Sequence, residues 1–181
     1  MRFALIALTL LVLAGCANIF IHKDTNELTY NEYLNNLPKN ALEDFKATAK
    51  FNFYEEDKVI SGKINWSSKN NKDIILILNP FNGIEAKIEL DLISKNQNIK
   101  LATDQTKNKK LNSFLEKNQN LFLMRKFIAN PPLRFSNETK TLIKYENWDI
   151  IFEEINPDQT VKTIKFKQKN IELVLEFVSW K

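Results

Sequence analysis

The chain has 181 residues, 44% of them hydrophobic, with 26 basic against 22 acidic side chains and a formal charge of +4. One cysteine excludes an intrachain disulfide, that thiol and a single histidine leave no set for zinc or thiol chemistry, and three glycines leave no phosphate-cradling loop. The pI near 9.0 comes without a nucleic-acid motif or a basic stripe on one helix face, so the lysines read as solvated surface and nucleic acid is not an expected partner.

Met1-Arg2 places one positive charge ahead of residues 3–13, an apolar run whose only polar member is Thr9, and the small pair Ala14-Gly15 follows. This is the pattern of a secretory signal over residues 1–15. It is too short to remain as an anchor, because a spanning helix needs about 20 apolar residues to cross ~30 Å of hydrocarbon. Leu13-Ala14-Gly15-Cys16 resembles a bacterial lipobox, in which the signal is cut before the cysteine and the thiol acquires a diacylglyceryl group; Cys16 is the sole cysteine and stands where that motif requires it. A chain starting at Cys16 has 166 residues, enough for one domain with a sizeable core, and losing Arg2 leaves 25 basic against 22 acidic residues, or +3. The expected organisation is signal peptide 1–15, lipidated tether 16–26 and a β-domain over 27–181. His22 falls in the tether and reads as an exposed spacer residue, not a base or a metal ligand.

Residues 28–46 mix apolar and polar positions at helical spacing, with Tyr30, Tyr33, Leu34 and Leu37 on one side. Pro38 interrupts them, predicting a helix to about Leu37 and a turn or second short helix at 41–45. The period then becomes two. Ala47, Ala49, Phe51 and Phe53 share one strand face and Ile60, Gly62, Ile64 and Trp66 another, with Glu55-Glu56-Asp57 as the turn. Residues 74–78 are apolar throughout, consistent with a strand buried on both sides, and Asn79-Pro80-Phe81-Asn82-Gly83 is a turn sequence. In the returning strand Ile84, Ala86, Ile88, Leu90 and Leu92 oppose Glu85, Lys87, Glu89 and Asp91. A short strand around 99–102 and helical spacing over 111–128 follow, stopped by Asn130-Pro131-Pro132. Three final strands are expected over 148–155, 161–167 and 171–180, joined by Asn156-Pro157-Asp158 and Lys169-Asn170.

Seven or more antiparallel strands, each with one apolar face, imply a mainly β fold: a curved sheet or barrel around an interior that 13 Phe and 3 Trp make aromatic. Such an interior is either filled by its own side chains or encloses a greasy ligand, core packing being the default use of apolar strand faces. Glu55-Glu56 and Glu153-Glu154 are strand neighbours that point to opposite faces, so neither forms an acid/base dyad. A binding or carrier role is favoured over an enzyme, with no cofactor and no metal.

The stretch Phe45-Lys46-Ala47-Thr48-Ala49-Lys50-Phe51-Asn52-Phe53, the strand end Ile64-Asn65-Trp66 and the run from Ile75 through Asn79-Pro80-Phe81-Asn82-Gly83 resemble the LolB family of outer-membrane lipoprotein receptors. Phe127-Ile128 ahead of Asn130-Pro131-Pro132-Leu133 and the ending Phe177-Val178-Ser179-Trp180-Lys181 continue the resemblance over most of the chain after Cys16. It implies a half-open antiparallel β-barrel of LolA/LolB type with a helical plug on the concave side. It also implies a cavity for lipoprotein acyl chains, delivered by a LolA-type periplasmic carrier and passed into the outer membrane by a monomer without a cofactor. LolA-type carriers have a plain cleavable signal, so Cys16 selects the receptor side. Ala17 in place of Asp after the cysteine implies outer-membrane placement, the domain facing the periplasm. An anchor of several acyl chains, at about 0.8 kcal/mol per buried methylene, would hold where one myristoyl chain is marginal.

The family's exposed loop residue, which touches the membrane, matches Phe81. Exposing a Phe forgoes roughly 1.5–3 kcal/mol of burial; the alternative is a ring folded over the sheet edge, and Asn82 before Gly83 departs from the family loop. Candidate cavity residues are Phe51, Phe53, Ile64, Trp66, Ile88, Leu90, Phe114, Phe122 and Trp148, each equally suited to a core. The rival expectation is a structural or assembly lipoprotein acting through protein contacts. A filled core speaks for it, and a cavity open at one end speaks for the carrier.

Overall fold

The computed structural model describes residues 25–37, 43–79, 83–101, 109–132 and 140–181. Cys16, Ala17, His22 and Phe81, which carry the expectations about anchor and membrane loop, lie outside the described residues. In chain order the elements are β1 (Thr25–Thr29), α1 (Tyr30–Asn35), β2 (Phe45–Glu55), β3 (Lys58–Lys69), β4 (Lys72–Asn79), β5 (Gly83–Asp91), β6 (Asn96–Leu101), α2 (Lys109–Glu116), α3 (Asn118–Ala129), β7 (Lys140–Tyr145), β8 (Trp148–Ile155), β9 (Val161–Gln168) and β10 (Ile171–Trp180).

The ten described strands form one open sheet in the order β1-β7-β8-β9-β10-β2-β3-β4-β5-β6. Every pairing is antiparallel except β1 against β7, which is parallel at the edge. Short turns connect the meander: Asn70 and Asn71 both take positive φ, as a two-residue hairpin turn of the primed kind demands. The β10–β2 pairing joins the two halves of the chain, with Leu173 opposite Phe53 and Leu175 opposite Phe51. Lys46 and Lys181 extend it by exchanging two backbone hydrogen bonds of 2.7 and 2.8 Å.

Period-two alternation puts one apolar face of this sheet in the core: Ala47, Ala49, Phe51 and Phe53 of β2, Ile75 and Ile77 of β4, Ala86, Ile88 and Leu90 of β5, and Ile150 and Phe152 of β8 are all buried. The face curls. Strands β5 and β8 stand six places apart in the sheet order, roughly 30 Å in a flat sheet at the usual strand spacing. Yet Leu92 after β5 and Trp148 of β8 line the same groove. Gly62 shows how tight the face is. It lies opposite Phe51, and a Cβ there would meet the Phe51 ring at 2.6 Å and the Leu78 carbonyl oxygen at 2.8 Å.

The structure corrects several expectations. Leu28 belongs to β1, not to a helix, and Thr25 and Asn26 pair with Lys140 and Thr141, so the last residues assigned to the tether are part of the sheet. A capping box sets that boundary: Thr29 Oγ1 accepts from the Glu32 amide, while Glu32 Oε2 accepts from the Thr29 amide at 2.7 Å, which starts α1 at Tyr30. Phe45 opens β2 instead of ending a helix. Strand β4 is buried on one face only; Ile74 is 41% exposed, because no layer of the described residues covers the outer side. The helical stretch breaks at Lys117 into two helices. Strand β7 had no period-two signal, since Leu142 and Ile143 are adjacent, and β6 starts earlier than the apolar residues indicated.

On the outer side Glu153 of β8 lies 2.8 Å from the Lys140 ammonium of β7 and 3.0 Å from that of Lys165 of β9, clamping three strands. Burial raises the pKa of this carboxyl, but the hydrogen bonds and charges of the two lysines more than offset it, leaving it below its ordinary 4.5. A depressed folded-state pKa contributes stability above the unfolded value and loses it as pH falls through the folded one. Glu153→Gln is therefore expected to cost about 1 kcal/mol at pH 7 and to flatten the acid-side decline in stability below about pH 4.5, as read by urea unfolding across pH.

Candidate functional site

Eight of the nine cavity candidates meet on the inner face. Phe51 and Phe53 of β2, Ile64 and Trp66 of β3, Ile88 and Leu90 of β5, Trp148 of β8 and Phe114 of α2 are all buried. The Phe114 ring lies 5.3 Å from Phe53 and 6.1 Å from Trp148, bridging distant strands. Phe122 of α3 is half-buried and looks into a groove at the margin.

Among the described residues, Phe51, Ile64, Trp66 and Phe114 pack closely, while Trp148 also reaches the marginal groove. The void left among Phe51, Ile64, Trp66, Phe114, Met124 and Leu173 measures about 10 Å³, room for a single water at most. Helices α2 and α3 pack onto this face. Leu121, Met124 and Ile128 follow one another at helical spacing and are buried with Phe127, so α3 turns an apolar stripe onto the sheet.

Polar contacts among the described residues fasten this cover. At its centre the Asp73 carboxylate, fully buried on the inner face of β4, accepts the Trp66 indole N–H at 2.7 Å and stands 3.0 Å from Arg125 Nε of α3. The same guanidinium donates from its terminal nitrogen to Ser68 Oγ at 3.1 Å and to the Glu43 carbonyl at 3.2 Å, and lies 5.0 Å from the Phe45 ring centroid. Asp73 Oδ1 has no hydrogen-bond partner among the described residues. Around the margin, Gln97 of edge strand β6 donates to the Leu115 and Glu116 carbonyls at the end of α2. Asn120 donates to the Phe114 carbonyl across the helix break. Tyr33 of α1 packs 5.0 Å from Phe127 and donates its hydroxyl to the Asn130 carbonyl at 2.6 Å; burial, and then neighbouring Tyr30, push that phenol well above the usual range.

The Asp73–Arg125 pair is the feature that pattern reading missed. Its signal was present: Arg125 interrupts an apolar helix stretch, and Asp73 sits at the inward phase of β4 with Ile75 and Ile77. Each is a lone charge on a face that becomes dry, and a buried charge requires a partner.

Beside this packed face a groove of about 510 Å³ runs between α3, the turn after β5 and the β7–β8 hairpin, lined among others by Leu92, Phe122, Leu123 and Trp148. No protein-family model matches the chain, and no curated protein matches it.

Removing Arg125 leaves a buried carboxylate without its cation, at an expected cost of about 3–5 kcal/mol. Replacing both charges by apolar residues removes the orphan. Urea unfolding should therefore find Arg125→Met strongly destabilising and the double variant Asp73→Leu/Arg125→Met less so than either single change. Additive losses would show that the pair is uncoupled.

Proposed function

We propose that the chain is a lipid-anchored receptor with a half-open barrel of LolA/LolB type, which accepts lipoprotein acyl chains from a LolA-type carrier and passes them into the outer membrane. The observation that carries this reading is the construction of the cover. An aromatic sheet face is covered by two short helices outside the strand ladders, fastened by the Asp73–Arg125 ion pair. Lifting the helices would break no sheet hydrogen bond, and acyl chains would replace the apolar contacts that Phe114, Leu121 and Met124 give up. Apolar-for-apolar exchange of this kind has nearly balanced hydrophobic terms, at about 25 cal/mol per Å² on each side, so direction can come from relative affinity without fuel. The lipobox at Cys16 and the residue Ala17 support the anchor and its outer-membrane address, and Phe81 is the proposed membrane contact. No catalytic step and no cofactor enter the scheme.

The close packing around Phe51, Trp66 and Phe114 favours a second reading, a structural lipoprotein that works through protein contacts and needs no cavity. Transfer separates the two. The full-length lipidated protein in liposomes is expected to take lipoprotein from a LolA–lipoprotein complex and retain it with the vesicles, and Phe81→Glu is expected to accept cargo but insert it several-fold more slowly. Absence of transfer by the folded, anchored protein would leave the structural reading.

A further inference from the structure

The groove beside the cover contains an unusual cation. Lys126 of α3 projects between two rings, its ammonium 4.4 Å from the Tyr30 centroid and 4.9 Å from the Tyr145 centroid, and it donates a hydrogen bond to the Tyr30 hydroxyl. The rings themselves meet edge to face at 4.7 Å, so the lysine is held by a rigid pair. An ammonium has three donors, and Tyr30 takes one. No carboxylate forms an ion pair with Lys126 among the described residues. Two aromatic faces attract a cation without neutralising it. The other charges on the groove are Lys95, on the turn after β5, and Glu146, on the β7–β8 turn, giving two cations to one anion. Next to this charge the groove is lined by Leu92, Phe122, Leu123 and Trp148, and its volume of about 510 Å³ is that of an ordinary ligand site.

We infer that this groove binds an anionic amphiphile: a long acyl chain along Phe122, Leu123 and Trp148, with a carboxylate or phosphate head at Lys126 and with Lys95 adding a second charge. The site does not depend on the lipoprotein-transfer reading, because a diacylglyceryl head is uncharged and has no need of Lys126. A fatty acid and an anionic glycerophospholipid share the required chemistry, an anion joined to an apolar tail.

The test uses the whole protein in an uncharged detergent, with a diazirine-tailed fatty acid and its methyl ester as photoprobes and crosslinks mapped by peptide mass spectrometry. The acid is expected to label the α3 and β7–β8 segments at least several-fold more than the ester. Lys126→Gln should lower acid labelling about tenfold, the worth of one charge-assisted contact, while Lys126→Arg keeps it. The acid–ester comparison on the unaltered protein decides the matter even if Lys126→Gln does not fold. Competition by phosphatidylglycerol vesicles but not by phosphatidylcholine vesicles supports a phospholipid ligand, and competition by neither supports a free fatty acid. Equal labelling by acid and ester, competition by both vesicle types, or displacement of the probe by inorganic phosphate alone would overturn the inference.

Discussion

The arrangement turns on the carboxylate of Asp73, a charge placed on the dry face of β4. Taking an ion out of water costs several kcal/mol even after relaxation, and only a well-placed counter-charge with additional hydrogen bonds offsets it. Trp66 supplies one hydrogen bond and Arg125 the charge. That requirement fixes where α3 sits along the sheet. An apolar helix stripe on an apolar sheet can slide with little penalty, whereas Arg125 must reach Asp73, Ser68 and the Glu43 carbonyl together. The pair thus acts as a register pin more than as a source of stability, and the aromatic contacts around Phe114 and Met124 follow from where it holds the helix.

From this pin comes the division of the domain into a sheet and a cover. The sheet is continuous through β10–β2 and needs no helix to complete a ladder. The cover has its own polar fastenings at the margins, from Gln97 of β6 to the end of α2 and from Tyr33 of α1 to Asn130 after α3. Where the cover meets the curled rim of the sheet it leaves the groove that holds Lys126, so the closed interior and the open groove are two sides of one packing arrangement. In the proposed scheme the interior is the space that acyl chains enter when the helices lift, and the groove is a separate site, distinguished by its charge.

Strands β2, β3 and β5 were legible because each alternates cleanly, so that a one-residue slip would move a row of apolar residues into water, and β8, β9 and β10 through the turns Asn156-Pro157-Asp158 and Lys169-Asn170 that bound them. The gathering of Phe51, Phe53, Trp66 and Trp148 follows from the same alternation. What escaped depends on partners distant in sequence. Strand β1 carries a single buried leucine and forms through a parallel pairing with β7, more than a hundred residues away in sequence. Asp73 and Arg125 are 52 positions apart, and nothing near either names its partner. Whether an aromatic interior is filled or hollow depends on how two helices seat against a curved face, a matter of volume that residue type and spacing do not encode.

In the proposed scheme the cover leaves the sheet without unfolding it. Native-state hydrogen exchange tests this directly, since segments that open separately exchange with free energies below the global value. Amides of α2 and α3 are expected to exchange through an opening well below the global unfolding free energy, while those of β2, β3 and β10 require global unfolding. Arg125→Met is expected to lower the helix value by more than it lowers the strand value. Helix and strand amides exchanging together at one common free energy would contradict it.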